Sequence, residues 1–176
     1  MFTTASQTIG PYWHLIDDPG WFDLTRFGAE GARITIAGHV TDGAGAIVTD
    51  AAIELFQASP ARLASFPGYG RAATGSDVTF RFVTIKPEPL PGPASTRGNT
   101  MQAPHCGIAI FARGLLKPLF TRVYFAGEAL NDTDPILALI DPPSRRATLI
   151  ARQIAPRHYR LDISLQGDAE TVFLEF

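Results

Sequence analysis

The stretch RITIAGHVTDG, residues 33–43, decides the fold. Ile34, Ile36, Gly38 and Val40 fall on one face at a period of two, the spacing of a half-buried β-strand, and Asp42-Gly43 follows as a turn signal. The next run, Ala51 to Ala58, repeats the pattern with Ile53 and Leu55 on one side and Glu54 and Phe56 on the other, as an antiparallel strand between core and solvent requires. Further outward, VTFRFVTI (78–85) aligns Val78, Phe80 and Phe82, while GIAIFA (107–112), LFTRVYF (119–125), YRLDISL (159–165) and TVFLEF (171–176) are further strand candidates. About seven short strands with turn signals between them predict an all-β chain: a two-sheet β-sandwich with long connecting loops and short helical turns.

The punctuation of the chain agrees. Fourteen Pro and sixteen Gly are spread along it and leave little room for long helices. The longest connection, KPEPLPGPASTRGNTMQAP at 86–104, reads as a structureless loop and, being long, as a functional or partner-contacting one. Two short helical turns are expected, one with Asp134 as N-cap and Pro135 at the first helical position, the other with Ser144 as N-cap before RRATLIA.

Composition narrows the function classes. At 176 residues and 45% hydrophobic the chain can bury one sizeable core, since a domain of this size hides about 70% of its unfolded surface. A single domain over residues 1–176 is therefore expected, with residues 1–32 as an N-terminal arm packing on a partner. The net charge of −2 and the lack of a Lys/Arg stripe argue against nucleic acid and anionic membrane as partners. No secretory signal pattern opens the chain and no apolar run approaches the roughly 18 residues of a membrane span, so a cytoplasmic location is expected. The lone Cys106 offers neither a disulfide framework nor a thiolate cluster and reads as a small apolar filler.

Few residues invite chemistry. There is no phosphate-binding Gly-rich loop, no H-E-x-x-H and no G-x-S-x-G elbow. His14, His39, His105 and His158 are scattered singly; His105 stands out because it follows Ala103-Pro104 and opens an apolar strand, but alone it cannot hold a metal. Arg113 ends a strand before Gly114, where its planar fork suits either a substrate carboxylate or a structural ion pair. Arg122 lies mid-strand beside Tyr124 and is expected in a buried or interfacial ion pair. The opening SQTIGPYWH (6–14) has the aromatic and Gly-Pro content of a segment held against a neighbouring surface rather than of a free tail.

Taken together these residues resemble the iron-free, α-type subunits of the intradiol ring-cleavage dioxygenases. The motifs are SQTIGPYWH (6–14), GHVTDGAGAIVTDAAIELFQA (38–58), GYGRAAT (68–74), FVTIKP (82–87), APH (103–105), FARGLL (111–116), TRVYF (121–125), RRATLIA (145–151) and LQGDAETVFLEF (165–176). The resemblance implies a β-sandwich core, a large assembly of paired α and β subunits, and insertion of both atoms of O₂ between the hydroxyl-bearing carbons of protocatechuate, giving 3-carboxy-cis,cis-muconate. In the iron-bearing relatives Fe(III) is held by two Tyr and two His, donors suited to a hard, highly charged cation. By the same resemblance this chain keeps only His105; the second His falls at Gly107 and one Tyr at Leu90, while the other Tyr belongs to a segment that is short here between Gln57 and Gly68. The cofactor is thus expected on the β-type partner, with no metal ligand set and no complete catalytic set in this chain. Thr8, Gly10 and Pro11 match residues that shape the substrate pocket, and Arg113 matches an Arg near it. Departures from the pattern, with Phe56 in place of a Trp, Glu88 in place of a Gly and the trimmed 58–68 stretch, bear on pocket size and leave other hydroxybenzoates or substituted catechols open as substrates. The competing reading is a non-enzymatic binding module of transthyretin-like type.

Overall fold

The alternation at residues 33–41 forms β1 (Arg33–Gly38) and β2 (Val40–Thr41) in a computed structural model that describes residues 20–74, 79–93 and 101–175. Ile34, Ile36 and Val40 are buried as the period of two requires. Gly38 has a specific reason to be glycine: a Cβ there would stand 1.8 Å from the Leu161 carbonyl oxygen. That close approach lets the strand exchange partners, because Leu161 N donates to Ala37 O and Ile163 N to His39 O on either side of it. At the turn, the Asp42 carboxylate accepts from Ala44 N and Ala46 N, both at 2.9 Å, so the loop is longer than a two-residue hairpin.

The remaining strands are β3 (Ala52–Phe56), β4 (Tyr69–Ala73), β5 (Phe80–Ile85), β6 (Leu90–Pro91), β7 (Met101–Gln102), β8 (His105–Phe111), β9 (Leu119–Phe125), β10 (Ile150–Ala155), β11 (His158–Arg160) and β12 (Ile163–Ser164). The chain is all-β, as expected. The division into two sheets is replaced by one eight-stranded sheet in the order β4-β3-β8-β9-β10-β11-β1-β5, beside the small pairs β2/β12 and β6/β7. Two four-stranded halves can still be distinguished, joined by a short parallel pairing in which Ile150 and Ala151 of β10 meet Tyr124 and Phe125 of β9.

At the other end, residues 21–24 run between β4 and β5 and bring the sheet close to a closed barrel: Arg71 N donates to Trp21 O, Val83 N to Phe22 O and Leu24 N to Val83 O. The Leu24 side chain is fully buried, worth about 2 kcal/mol, and each bridging hydrogen bond adds about 1 kcal/mol. Leu24 and Ala29 lie in the core with Ile36, Ile53, Leu55, Phe80, Phe82, Ile108, Ile110, Val123 and Phe125. Of the arm expected over residues 1–32, residues 20–32 therefore rest on this chain's own barrel, and residues 1–19 lie outside the described residues.

Several sequence expectations shift. Residues 171–175 form no ladder strand; single backbone hydrogen bonds, Thr171 N to Ser164 O and Leu174 N to Phe120 O, hold them together with side chains, Thr121 Oγ1 donating to Val172 O and Val172 N to Thr148 Oγ1. The run 159–165 is split between β11 and β12 by the partner exchange at Leu161. Strands β4 and β10 form on poor strand sequences because neighbours supply pairing. Asp134 does cap its turn, accepting from Ile136 N and Leu137 N ahead of the 3₁₀ turn Leu137–Leu139. Ser144 does not cap: it lies inside the turn Pro143–Leu149, whose N-cap is Pro142. The loop at 86–104 is partly ordered by the β6/β7 pairing, with residues 94–100 outside the described residues. Among the described residues no helix is long and apolar enough to cross a membrane.

Candidate functional site

Strand register assembles the candidate site. On the outward face, Tyr69 of β4 pairs with Phe56 of β3, Phe56 with Gly107 of β8, and Gly107 with Arg122 of β9, so the four stand in one row across the sheet. Gly107 contributes no side chain, and a trough opens between the Phe56 ring and the Arg122 guanidinium. One pleat along, His105 pairs with Tyr124, their ring centroids 5.4 Å apart. Phe120 and Arg62 complete the rim of a cavity of about 260 Å³.

Hydrogen bonds fix the polar members. Arg122 Nη1 donates to Gln102 Oε1 at 2.8 Å and to the Tyr124 hydroxyl at 3.2 Å. Among the described residues of this chain Arg122 thus meets two neutral acceptors in place of a buried ion pair. Tyr124 in turn donates to the buried Asp134, whose other oxygen takes Ala103 N at 2.8 Å. His105 Nδ1 lies 2.8 Å from Ala103 O; in the neutral ring that nitrogen carries the proton and Nε2 keeps a lone pair. Burial lowers the His105 pKa, partly opposed by the Ala103 hydrogen bond, and favours the neutral ring. Beneath the trough, buried Gln57 donates to Ile85 O and accepts from Thr84 Oγ1, giving the floor a satisfied polar tie.

The donor set does not fit a ferric ion. Among the described residues no three His, Cys, Asp or Glu side chains converge. The tyrosine oxygens nearby are engaged elsewhere, Tyr69 donating to Glu54 at 2.8 Å and Tyr124 to Asp134. Burial, then the Glu54 hydrogen bond, pushes Tyr69 up to about 12, and burial raises Tyr124 as well, so neither readily offers phenolate. Cys106 is buried in the core and its thiol is pushed up to about 12, the inert filler expected of it. Among the described residues, His105 is the one histidine that lines the cavity, beside Gly107.

Arg113 is not brought to this trough. It follows the far end of β8, whose length of about 20 Å at ~3.3 Å per residue separates it from His105. The positive φ of Gly114, +85°, makes the bend that follows. The Arg113 side chain is 73% exposed and pairs with Asp50 in a second, open depression that also includes Gly114 and Leu115. Thr8, Gly10 and Pro11 lie outside the described residues. Sequence reasoning missed Arg62 and Phe120 at the rim, and read Phe56 and Gly107 only as departures from a pattern. Register, not spacing, places the four around one opening.

The chain that folds into this nearly closed barrel belongs to the dioxygenase family, which it matches over residues 23–167. Within the family it is 36% identical, over 98% of its own length and 96% of theirs, to the protocatechuate 3,4-dioxygenase α chains of Burkholderia cepacia and Pseudomonas putida. To the protocatechuate 3,4-dioxygenase β chain of Burkholderia cepacia it is 30% identical, covering 94% of this chain and 71% of that one. Among solved structures, the dioxygenase domain of a dioxygenase carbohydrate-binding fusion from Streptomyces sp. SirexAA-E superposes with TM-score 0.64 at 26% identity, covering 93% of this chain and 98% of that one. Catechol 1,2-dioxygenase from Pseudomonas arvilla shares the fold, with TM-score 0.63 at 18% identity over 82% of this chain and 55% of its own. Family membership decides against the solitary binding module.

Proposed function

We propose that this chain is the iron-free, α-type subunit of a protocatechuate-cleaving intradiol dioxygenase, working in the cytoplasm beside a β-type subunit that holds the ferric iron. The observation that carries the reading is a pairing of two facts. Likeness to α chains runs along 98% of the sequence at 36% identity, yet the donor set around His105 does not fit iron. The α-type reading, rather than the β-type one, rests on the lower identity of 30% and the shorter coverage of the β chain.

In this reading the chain is one domain over residues 1–176, and residues 1–32 are an arm whose beginning reaches the partner. Thr8 and the Gly10-Pro11 backbone shape the substrate pocket. Arg113, exposed beside Asp50, favours an aromatic substrate that carries a carboxylate, because its fork can donate two parallel hydrogen bonds. Two subunits closing around a dihydroxybenzoate exclude water and fix its orientation, which strengthens each charge interaction inside. The ring is opened between its two hydroxyl-bearing carbons with both atoms of O₂ retained.

Co-expression tests the reading. The chain purified alone should lack stoichiometric iron, visible tyrosinate-to-iron colour and ring-opening activity, and co-expression with a β-type partner should yield an assembly with all three. An isolated chain that binds one iron and opens protocatechuate overturns it.

A further inference from the structure

On the other half of the sheet, strand register assembles a basic row that no stretch of sequence contains. Arg152 of β10 pairs with Arg160 of β11, Arg160 with Ala37 of β1, and Ala37 with Arg81 of β5. Their chain neighbours Ala151, Tyr159, Ile36 and Phe82 belong to the core, so by strand alternation the row faces outward. Three guanidinium groups thus share four adjacent strands, a width of about 14 Å at ~4.8 Å per strand spacing. Arg81 and Arg152 are exposed, and only the small Ala37 stands between Arg160 and Arg81. Among the described residues Asp162 is the one carboxylate that pairs with the row, meeting Arg160 Nε at 3.0 Å. No ion pair engages Arg81 or Arg152. The row is therefore net positive on a chain whose overall charge is −2. Like charges on directly opposed positions, as at Arg152 and Arg160, cost stability until an opposite charge meets them.

We infer that this arginine row is the docking surface for a carboxylate-bearing face of the β-type subunit. The inference rests on the α-type reading above and adds to it the place and the chemistry of the contact. Composition selects a protein partner. Ile154, in the irregular stretch of β10, is 59% exposed and Phe22 37%, and arginine among aromatic and aliphatic neighbours is what protein interfaces enrich. A nucleic acid duplex is held through a longer series of phosphates than three guanidinium groups can meet. Continuity selects the β-type subunit: the Phe22 ring lies 6.0 Å from Arg81 Cζ, so the arm that reaches the partner in that reading crosses the end of the row. The geometry is also prepared for carboxylates. Asp162 holds Arg160 through Nε alone, at 3.1 and 3.0 Å, which fixes the planar fork and leaves its terminal N–H groups for the partner.

The test co-expresses the full chain, carrying an affinity tag, with the β-type partner and measures how much partner is retained at about 0.15 M salt. Arg152→Glu/Arg160→Glu should lower retention at least about tenfold. Arg152→Lys/Arg160→Lys, which keeps both charges, should retain most of the partner, and retention by the parent should fall as salt rises. Circular dichroism checks folding; if the Glu double variant does not fold, Arg81→Glu, on the far strand of the row, takes its place and should lower retention several-fold. Undiminished retention by the folded Glu variant, or a Lys variant that loses the partner as fully as the Glu variant, overturns the assignment. So does a DNA duplex that binds the parent and is lost from the Glu variant while the partner stays, an outcome that gives the row to nucleic acid. A parent that retains no partner overturns the α-type reading and the surface with it, whereas equal pairing by parent and Glu variant overturns the surface alone.

Discussion

Asp134 ties the site to the fold, and removing it has a calculable cost. Its buried carboxylate takes hydrogen bonds from Ala103 N, Tyr124 Oη, Ile136 N and Leu137 N, at 2.8, 3.2, 2.8 and 2.9 Å. It therefore joins the entry to β8, the strand β9 and the turn at Leu137–Leu139. In Asp134→Ala the turn loses its cap, about 1 kcal/mol, and Ala103 N and Tyr124 each lose a buried acceptor, about 1–3 kcal/mol apiece. Neighbouring losses overlap, so a net cost of about 3–5 kcal/mol is expected, a large part of the roughly 5–15 kcal/mol by which such domains are stable. Urea unfolding followed by tryptophan fluorescence should show the midpoint lowered by about 2 M, for a slope of about 2 kcal/mol per M. Asp134→Asn keeps one oxygen for Tyr124 and the turn but sets an amide donor against Ala103 N, so about 1–3 kcal/mol is expected. A midpoint for Asp134→Ala within about 0.5 M of the parent, at unchanged slope, would refute the reasoning.

Two further outcomes are expected. Tyr69 titrates at about 12 in the folded chain against 10.0 ordinarily; the unfolded state releases this proton first, so the Tyr69 contribution is present below pH 10 and lost as pH rises towards about 12. Absorbance titration of phenolate should show one fewer late-ionising tyrosine in Tyr69→Phe, and an unchanged number of late-ionising tyrosines would contradict the burial of Tyr69 and its Glu54 hydrogen bond. In the assembled enzyme, Arg113→Ala should raise KM for a carboxylated substrate more than for plain catechol; equal effects on both would remove the carboxylate role.

The strands with strong alternation were legible because a period of two is written in local chemistry: Ile34, Ile36, Ile53 and Leu55 are where an inward face must be. The same was true of the Asp134 turn, whose cap and proline are adjacent in the chain. The candidate site was legible only in pieces. His105 could be singled out from its place at the start of an apolar strand, whereas Arg122 drew an ion pair because sequence does not reveal that Gln102 stands within 2.8 Å of it.

By itself the sequence determined the all-β class, the core faces and, through an ordered series of motifs, kinship with α-type dioxygenase subunits, because each depends on residues close together in the chain. Tertiary structure alone decided that the two halves form one sheet, joined by β9 and β10 and bridged by residues 21–24. It also decided that Phe56, Gly107 and Arg122, drawn from three strands, share one row. Register between distant strands is a collective outcome of packing, and no local pattern encodes it.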